Sequence, residues 1–256
     1  MSGHSTAKIS RIINRWLEQK PPALSQNIYH RAKYLLFDGT YFHKDGCLIV
    51  LMDVARRGLI DYAYIGRENY DDVRSRMTNL KEQGLCPIAI TLDGHKPVTR
   101  AFINVWPEIA MQRCLFHIEN QGLMWIRFYP KTIAGQELRA LLKGLTKISS
   151  QQERDKFQQA YSFWIKKHKD TIKLLPKDSV ANKDLQRTMR LIDNALPNMF
   201  WFIKDPKIAK TTNLLEGFYS QLKHHYQRHR GLTEKHKIGF LAWYCYFKSL
   251  KSSNTF

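Results

Sequence analysis

The sequence predicts an α/β fold: a mixed sheet flanked by helices, with an all-α insertion ahead of the last helices. Three observations predict it. Short apolar blocks with the two-residue period of strands fill residues 34–66. Helix-like and strand-like blocks then alternate up to residue 116, as they do when helices cover a sheet. From residue 118 to 210 the apolar period is helical throughout. A chain of 256 residues with 43% apolar content can build one large domain, or one domain with a sizeable insertion.

Taken in order, Ile9, Ile12, Ile13, Trp16 and Leu17 recur at helical spacing, and Pro21-Pro22 stops that helix. Strands are expected at 34–42, 47–54 and 60–66, with Asp45-Gly46 and Arg57-Gly58 as turns, which makes an antiparallel meander. A helix over 69–83 ends at Gly84, and the apolar run 86–92 enters as a buried strand. Pro97 suits the first turn of a helix that runs to Trp106 before Pro107, and residues 109–116 supply a fifth strand. This is the order of an RNase H-like core, in which the first strand lies centrally beside the fourth. Three apolar stripes follow: Leu138, Leu141, Leu142, Leu145 and Ile148; then Phe157, Ala160, Tyr161 and Trp164; then Leu185, Met189, Ile192 and Leu196. The expected organisation is therefore an N-terminal helical segment (1–33), a first part of the core (34–117), a helical insertion (118–210), and C-terminal basic helices that complete the core (211–256). No internal repeat or low-complexity linker interrupts it.

Lys and Arg total 41 against 22 Asp and Glu, a net charge of +19. That field favours a polyanion, with nucleic acid ahead of an anionic membrane surface because the basic residues are spread along the chain. No apolar run approaches the roughly 20 residues that span a bilayer, and residues 1–8 lack the apolar stretch of a secretory signal. Cys47, Cys86, Cys114 and Cys245 are far apart, so free thiols in a reducing compartment are expected. These features point to the cytoplasm or nucleoid.

Within this basic chain three acids stand out. Asp38 and Asp93 are placed where strand-like runs end, and Glu216 lies in a helical stretch. Carboxylates that converge from such positions can hold two divalent ions, which activate the attacking oxygen and stabilise the leaving oxygen in phosphodiester chemistry. Each also has a plain structural reading: an Asp-Gly turn at Asp38, a helix cap at Asp93, a solvated Glu at 216. Glu216 shares a polar helix face with Ser220, Lys223 and Gln227, opposite the apolar Leu215, Phe218 and Leu222.

The strings FDGTYF, ITLDGHKPVTRAF, WPEIAMQRCLFHIENQ, KTTNLLEGFYSQLK and HRGLTEKHK, in this order, resemble the catalytic region of Mutator-type insertion-sequence transposases over roughly residues 34–245. Those are DDE enzymes with an RNase H-like fold. The resemblance implies that Asp38, Asp93 and Glu216 are the catalytic, metal-binding triad for two Mg²⁺ (or Mn²⁺). It also matches Cys114 and His117 to a Cys-x-x-His signature. The residues argue against zinc there, since four closed ligands are needed and no second pair has suitable spacing; Cys114 is expected to pack in the fifth strand and His117 to hydrogen-bond near the site. Residues 204–251 carry ten Lys or Arg against three acids, so Lys223, Arg228 and Arg230 are expected to bind DNA phosphates. Asn213 is expected to orient Glu216, touch DNA or cap its helix. Trp125 and Trp201 are candidates for stacking on an unpaired base.

The expected function is thus metal-dependent DNA cleavage at element ends and strand transfer into target DNA, by a homodimer or larger assembly on DNA. Alternatives are a non-catalytic DNA-binding relative and an RNase H-like nuclease that cuts without joining. Family members commonly carry a sequence-specific DNA-binding region before the catalytic core, and 33 residues before the first strand are too few for one. Either the form is shortened, or end recognition comes from the insertion or from elsewhere.

Overall fold

The computed structural model describes residues 3, 5–24, 26–42, 46–229 and 231–253. Helix α1 (Thr6–Leu17) precedes the meander β1 (Tyr34–Tyr41), β2 (Cys47–Asp53) and β3 (Gly58–Ile65). Then come α2 (Tyr70–Glu82), β4 (Ala89–Leu92), α3 (Lys96–Val105) and β5 (Ala110–Arg113). The remainder is helical: α4 (Leu115–Ile126), α5 (Ile133–Leu142), α6 (Gln151–Leu174), α7 (Val180–Ala195), α8 (Trp201–Lys204), α9 (Asn213–Gln227) and α10 (Glu234–Ser253). The strands form one mixed sheet in the order β3-β2-β1-β4-β5. Pairing is antiparallel from β1 to β3 and parallel between β4 and β5. The chain divides into two compact units, one of Met1–Ile88, Lys96–Ile109 and Asn213–Phe256, the other of Ala89–His95 and Ala110–Thr212.

In the first unit β2 is buried along its whole length, which explains its unbroken apolar run Leu48 to Met52: neighbours cover both faces. Along β1 successive side chains point to opposite faces. Phe37 meets Phe102 of α3 edge to face, with ring centroids 5.2 Å apart. Asp38 therefore points to the other face, where α9 lies against β1. Helix α2 starts at Asn69, whose side chain accepts from Asp72 N at 2.8 Å, and is tied to β3 by the Arg76 to Asp61 ion pair. Helix α1 rests on α10 through Trp16 and Trp243, 5.5 Å between ring centroids, and the Trp243 indole donates to the Trp16 carbonyl at 2.9 Å.

The second unit is built around aromatic residues of α6. Phe157, Tyr161 and Trp164 are buried. Trp164 Nε1 donates to the Ala134 carbonyl at 3.0 Å, and the Tyr161 hydroxyl reaches Asp193 at 2.8 Å. A capping box of Ser150 and Glu153 starts α6, satisfying donors the first turn leaves open. Of the stripes expected here, Leu138, Leu142, Leu145, Ile148, Leu185 and Ile192 are buried.

Two strands are shorter than the apolar pattern suggests. β4 starts at Ala89 rather than 86, because Pro87 has no N–H for a ladder and Ile88 N is spent on the Lys33 carbonyl at 2.8 Å. β5 stops at Arg113 rather than 116, because Leu115 N donates to the Lys210 carbonyl at 3.0 Å and α4 begins there. β3 starts two residues before its expected place, at Gly58. Of the expected turn Asp45-Gly46, Asp45 lies outside the described residues. Among the described residues no helix is long and apolar enough to cross a membrane.

Candidate functional site

Asp38 is not at a strand end, as the sequence suggested, but inside β1. The ladder continues past it with Gly39 opposite Ile49, Thr40 opposite Leu48 and Tyr41 opposite Cys47. Gly39 makes no turn either; it leaves room. A Cβ there would meet the Glu68 carboxylate and stand 2.9 Å from Cys47 Sγ, so glycine lets Glu68 lie against the strand without shifting. The Asp38 side chain is 8% exposed, and its Oδ1 accepts from Gly39 N at 2.9 Å.

Glu216, in the first turn of α9, brings a carboxylate oxygen within 4.8 Å of one from Asp38. Its helix sorts as the sequence pattern requires: Leu215, Phe218, Tyr219 and Leu222 are buried, while Ser220, Lys223 and Gln227 are exposed. The exposed side lines a cleft of about 460 Å³ with Thr40, Glu216, Lys223 and His224 on its walls. Lys223 Nζ stands 6.0 Å from the Phe42 ring centroid. Two neutral groups back the acids. Burial, then Glu68 and Asp38, push the Cys47 thiol up, and burial, then Asp38, push the Tyr219 hydroxyl well above its ordinary value. The Tyr219 hydroxyl donates to the Asp38 carbonyl at 2.6 Å.

Asp93 and the pair Cys114 and His117 belong to the second unit. Asp93 follows β4 directly and is half-buried; its Oδ1 accepts from His95 N at 2.8 Å. Gly94 between them has φ +85°, and a Cβ there would meet the Arg113 guanidinium at 2.0 Å. That guanidinium is pulled down by burial while Asp93 acts in the opposite direction, and its Nε is buried with no hydrogen-bond partner among the described residues. Cys114 is not a strand residue: it stands between β5 and α4 as the N-cap position. Its Sγ accepts from Thr212 N at 3.3 Å and lies 3.4 Å from Thr212 Oγ1, which is 3.4 Å from His117 Nδ1. Burial pushes the Cys114 thiol up, but hydrogen bonds and charge from His117 outweigh it and the net direction is down.

Of the expected phosphate-binding residues, Lys223 faces the cleft, Arg228 donates to His224 Nε2 one turn back at 2.8 Å, and Arg230 lies outside the described residues. Asn213 is exposed at the start of α9. Trp125 carries the Arg187 guanidinium 5.2 Å above its ring, and Trp201 the Lys204 ammonium at 4.8 Å, so each presents one face to a cation already. Sequence reasoning missed Tyr219, Glu68, Thr40 and Arg113. Gly39 was the one signal for Glu68, because a glycine inside a strand marks a close approach; the others look like ordinary strand or helix residues.

Two carboxylate oxygens within 4.8 Å suit a hard divalent cation: metal–oxygen bonds of about 2.1 Å put two ligands of one octahedral ion roughly 3 to 4 Å apart. Residues 3–235 match the family model described as "Transposase, Mutator family". Comparison with curated proteins gives no match.

Proposed function

The chain belongs to the Mutator family of transposases, and from that premise we propose that it is a DDE enzyme that cuts DNA at element ends and joins the freed 3′-hydroxyl to target DNA. The observation that carries the proposal is the meeting of Asp38 and Glu216 beside a cleft that also presents Lys223. On this reading the sheet is an RNase H-like core, residues 118–210 are its helical insertion, and Asp93, after a strand that neighbours β1 in the sheet order, completes the acidic set.

Asp38, Asp93 and Glu216 would hold Mg²⁺ or Mn²⁺, two ions in all, which when bound would stabilise negative charge on the attacking and leaving oxygens. The chain's own residues do the rest. Asp38 is almost wholly buried, so its carboxylate is fixed in one orientation. Glu216 sits at the rim, where its helix also offers Ser220, Lys223 and Gln227 to the phosphates on either side of the scissile bond. Lys223 offsets the repulsion that the carboxylates exert on DNA. Coupled cutting of two ends implies a homodimer or larger assembly on DNA.

The test is Asp93→Asn on a labelled element-end duplex. The substitution keeps shape and removes charge, so Mg²⁺-dependent nicking and end joining should fall together by on the order of a thousandfold, since several kcal/mol of charge stabilisation are lost. Affinity for the same duplex should hold or rise, because one anion fewer opposes the phosphates. Equal activity in both chains would remove Asp93 from the site. No activity in either, on correct ends, would favour a family member that binds DNA without cutting it.

A further inference from the structure

Resting on that reading of the site, we propose that Tyr219 is a positioning residue whose hydroxyl sets the separation of the Asp38 and Glu216 carboxylates and thereby the affinity for the divalent ion. The side chain is 3% exposed and lies under β1 and β2. Its single hydroxyl hydrogen goes to the carbonyl of Asp38 itself, at 2.6 Å, with the Leu48 carbonyl a farther acceptor at 3.3 Å. Tyr219 and Glu216 are three residues apart on α9, on neighbouring positions of one helix surface.

One rigid ring thus connects the peptide of one acid to the helix that carries the other. A tyrosine ring has only two side-chain torsions, and this one is buried, with the Phe218 ring centroid 5.6 Å away. A phenylalanine would fill the same space and leave the fold its apolar contacts, but the Asp38 carbonyl would lose this donor. The strand could then shift against α9, and the two carboxylates would no longer be held within 4.8 Å. Groups one step behind metal ligands typically change metal affinity by roughly 10- to 100-fold when removed. Tyr244 of α10 supplies a control from the same cluster. Its ring is 5.8 Å from Phe218, and its hydroxyl is buried with no hydrogen-bond partner among the described residues, so removing it takes away a buried oxygen without touching β1.

The experiment measures Mn²⁺ binding by electron paramagnetic resonance, thermal unfolding, and Mn²⁺-dependent nicking for the unmodified chain, Y219F and Y244F. The expected result is cooperative unfolding in all three, Mn²⁺ affinity at least about tenfold weaker in Y219F alone, and nicking by Y219F restored to within a few-fold at saturating Mn²⁺. Equal Mn²⁺ affinity in Y219F and the unmodified chain would overturn the inference while leaving the site reading intact. So would loss of cooperative unfolding in Y219F, since the hydroxyl would then hold the fold rather than the site. Absence of Mn²⁺ binding by the unmodified chain would overturn the metal reading and this inference with it.

Discussion

Asp38 occupies the middle of a strand at 8% exposure with a second carboxylate close by. Burying a carboxylate costs several kcal/mol unless a cation or hydrogen bonds meet it; Asp38 accepts from Gly39 N, and on the proposed reading a divalent ion would be held by it together with Glu216. Mg²⁺ at about 100 times its Kd should therefore stabilise the unmodified chain by about 2.7 kcal/mol. Asp38→Asn should lose most of that gain, which thermal unfolding with and without Mg²⁺ will read. At Gly94 the reasoning is steric. Its φ of +85° disfavours any Cβ, and Arg113 fills the place where one would stand. Gly94→Ala should cost about 1 to 3 kcal/mol from strain and overpacking, measured by urea unfolding. It should also disturb Asp93, because the glycine lies inside the Asp93 to His95 turn.

Helix α9 carries two jobs on two faces. Leu222 is fully buried, so Leu222→Ala should destabilise by about 2 to 5 kcal/mol, while Lys223→Ala, one residue on but exposed, should leave stability nearly unchanged. The Lys223 change should instead weaken DNA binding for all sequences alike and reduce the salt slope by about one. Fluorescence anisotropy titrations at several salt concentrations will show it, and a slope equal to that of the unmodified chain would remove Lys223 from the interface. Between α5 and α6 the contact is titratable. Glu137 accepts from Lys167 at 2.7 Å and lies 2.7 Å from His168 Nε2, and these hydrogen bonds, that of Lys167 first, hold its carboxyl below the ordinary value of 4.5. A carboxyl lowered in the folded state stabilises fully above its unfolded value and loses that contribution as pH falls through the folded one. Acid unfolding below about pH 4.5 should therefore be shallower in Glu137→Gln than in the unmodified chain.

At the scale of the molecule the net charge of +19 governs association. Each phosphate neutralised releases counterions, so DNA affinity should fall linearly in log K against log salt, with a slope of about −0.9 per phosphate contact on duplex DNA. An affinity insensitive to salt would contradict a phosphate-bound partner. On the proposed reading the ion requirement is separable from this, since Asp38, Asp93 and Glu216 would hold the ion while DNA binding is spread over the basic surface.

The order of elements, the polar and apolar faces of α9, the basic field and the family were legible in the sequence. These are local or additive properties: a period of two or 3.6 is visible within one segment, and charge is a sum. The pattern put Glu216 and Lys223 on a helix, and Asp38 in the first strand but at that strand's end. Where strands stop emerged only from the packed chain, because that depends on which carbonyl competes for an N–H, as Lys210 does for Leu115. Packing also decided that Asp38 lies within its strand, that Cys114 opens a helix, and that Gly39 makes way for Glu68. The Tyr219 bond to Asp38 joins residues 181 positions apart. No periodicity carries such a contact, for it arises only when strand and helix have packed and a buried hydroxyl must find an acceptor within its reach.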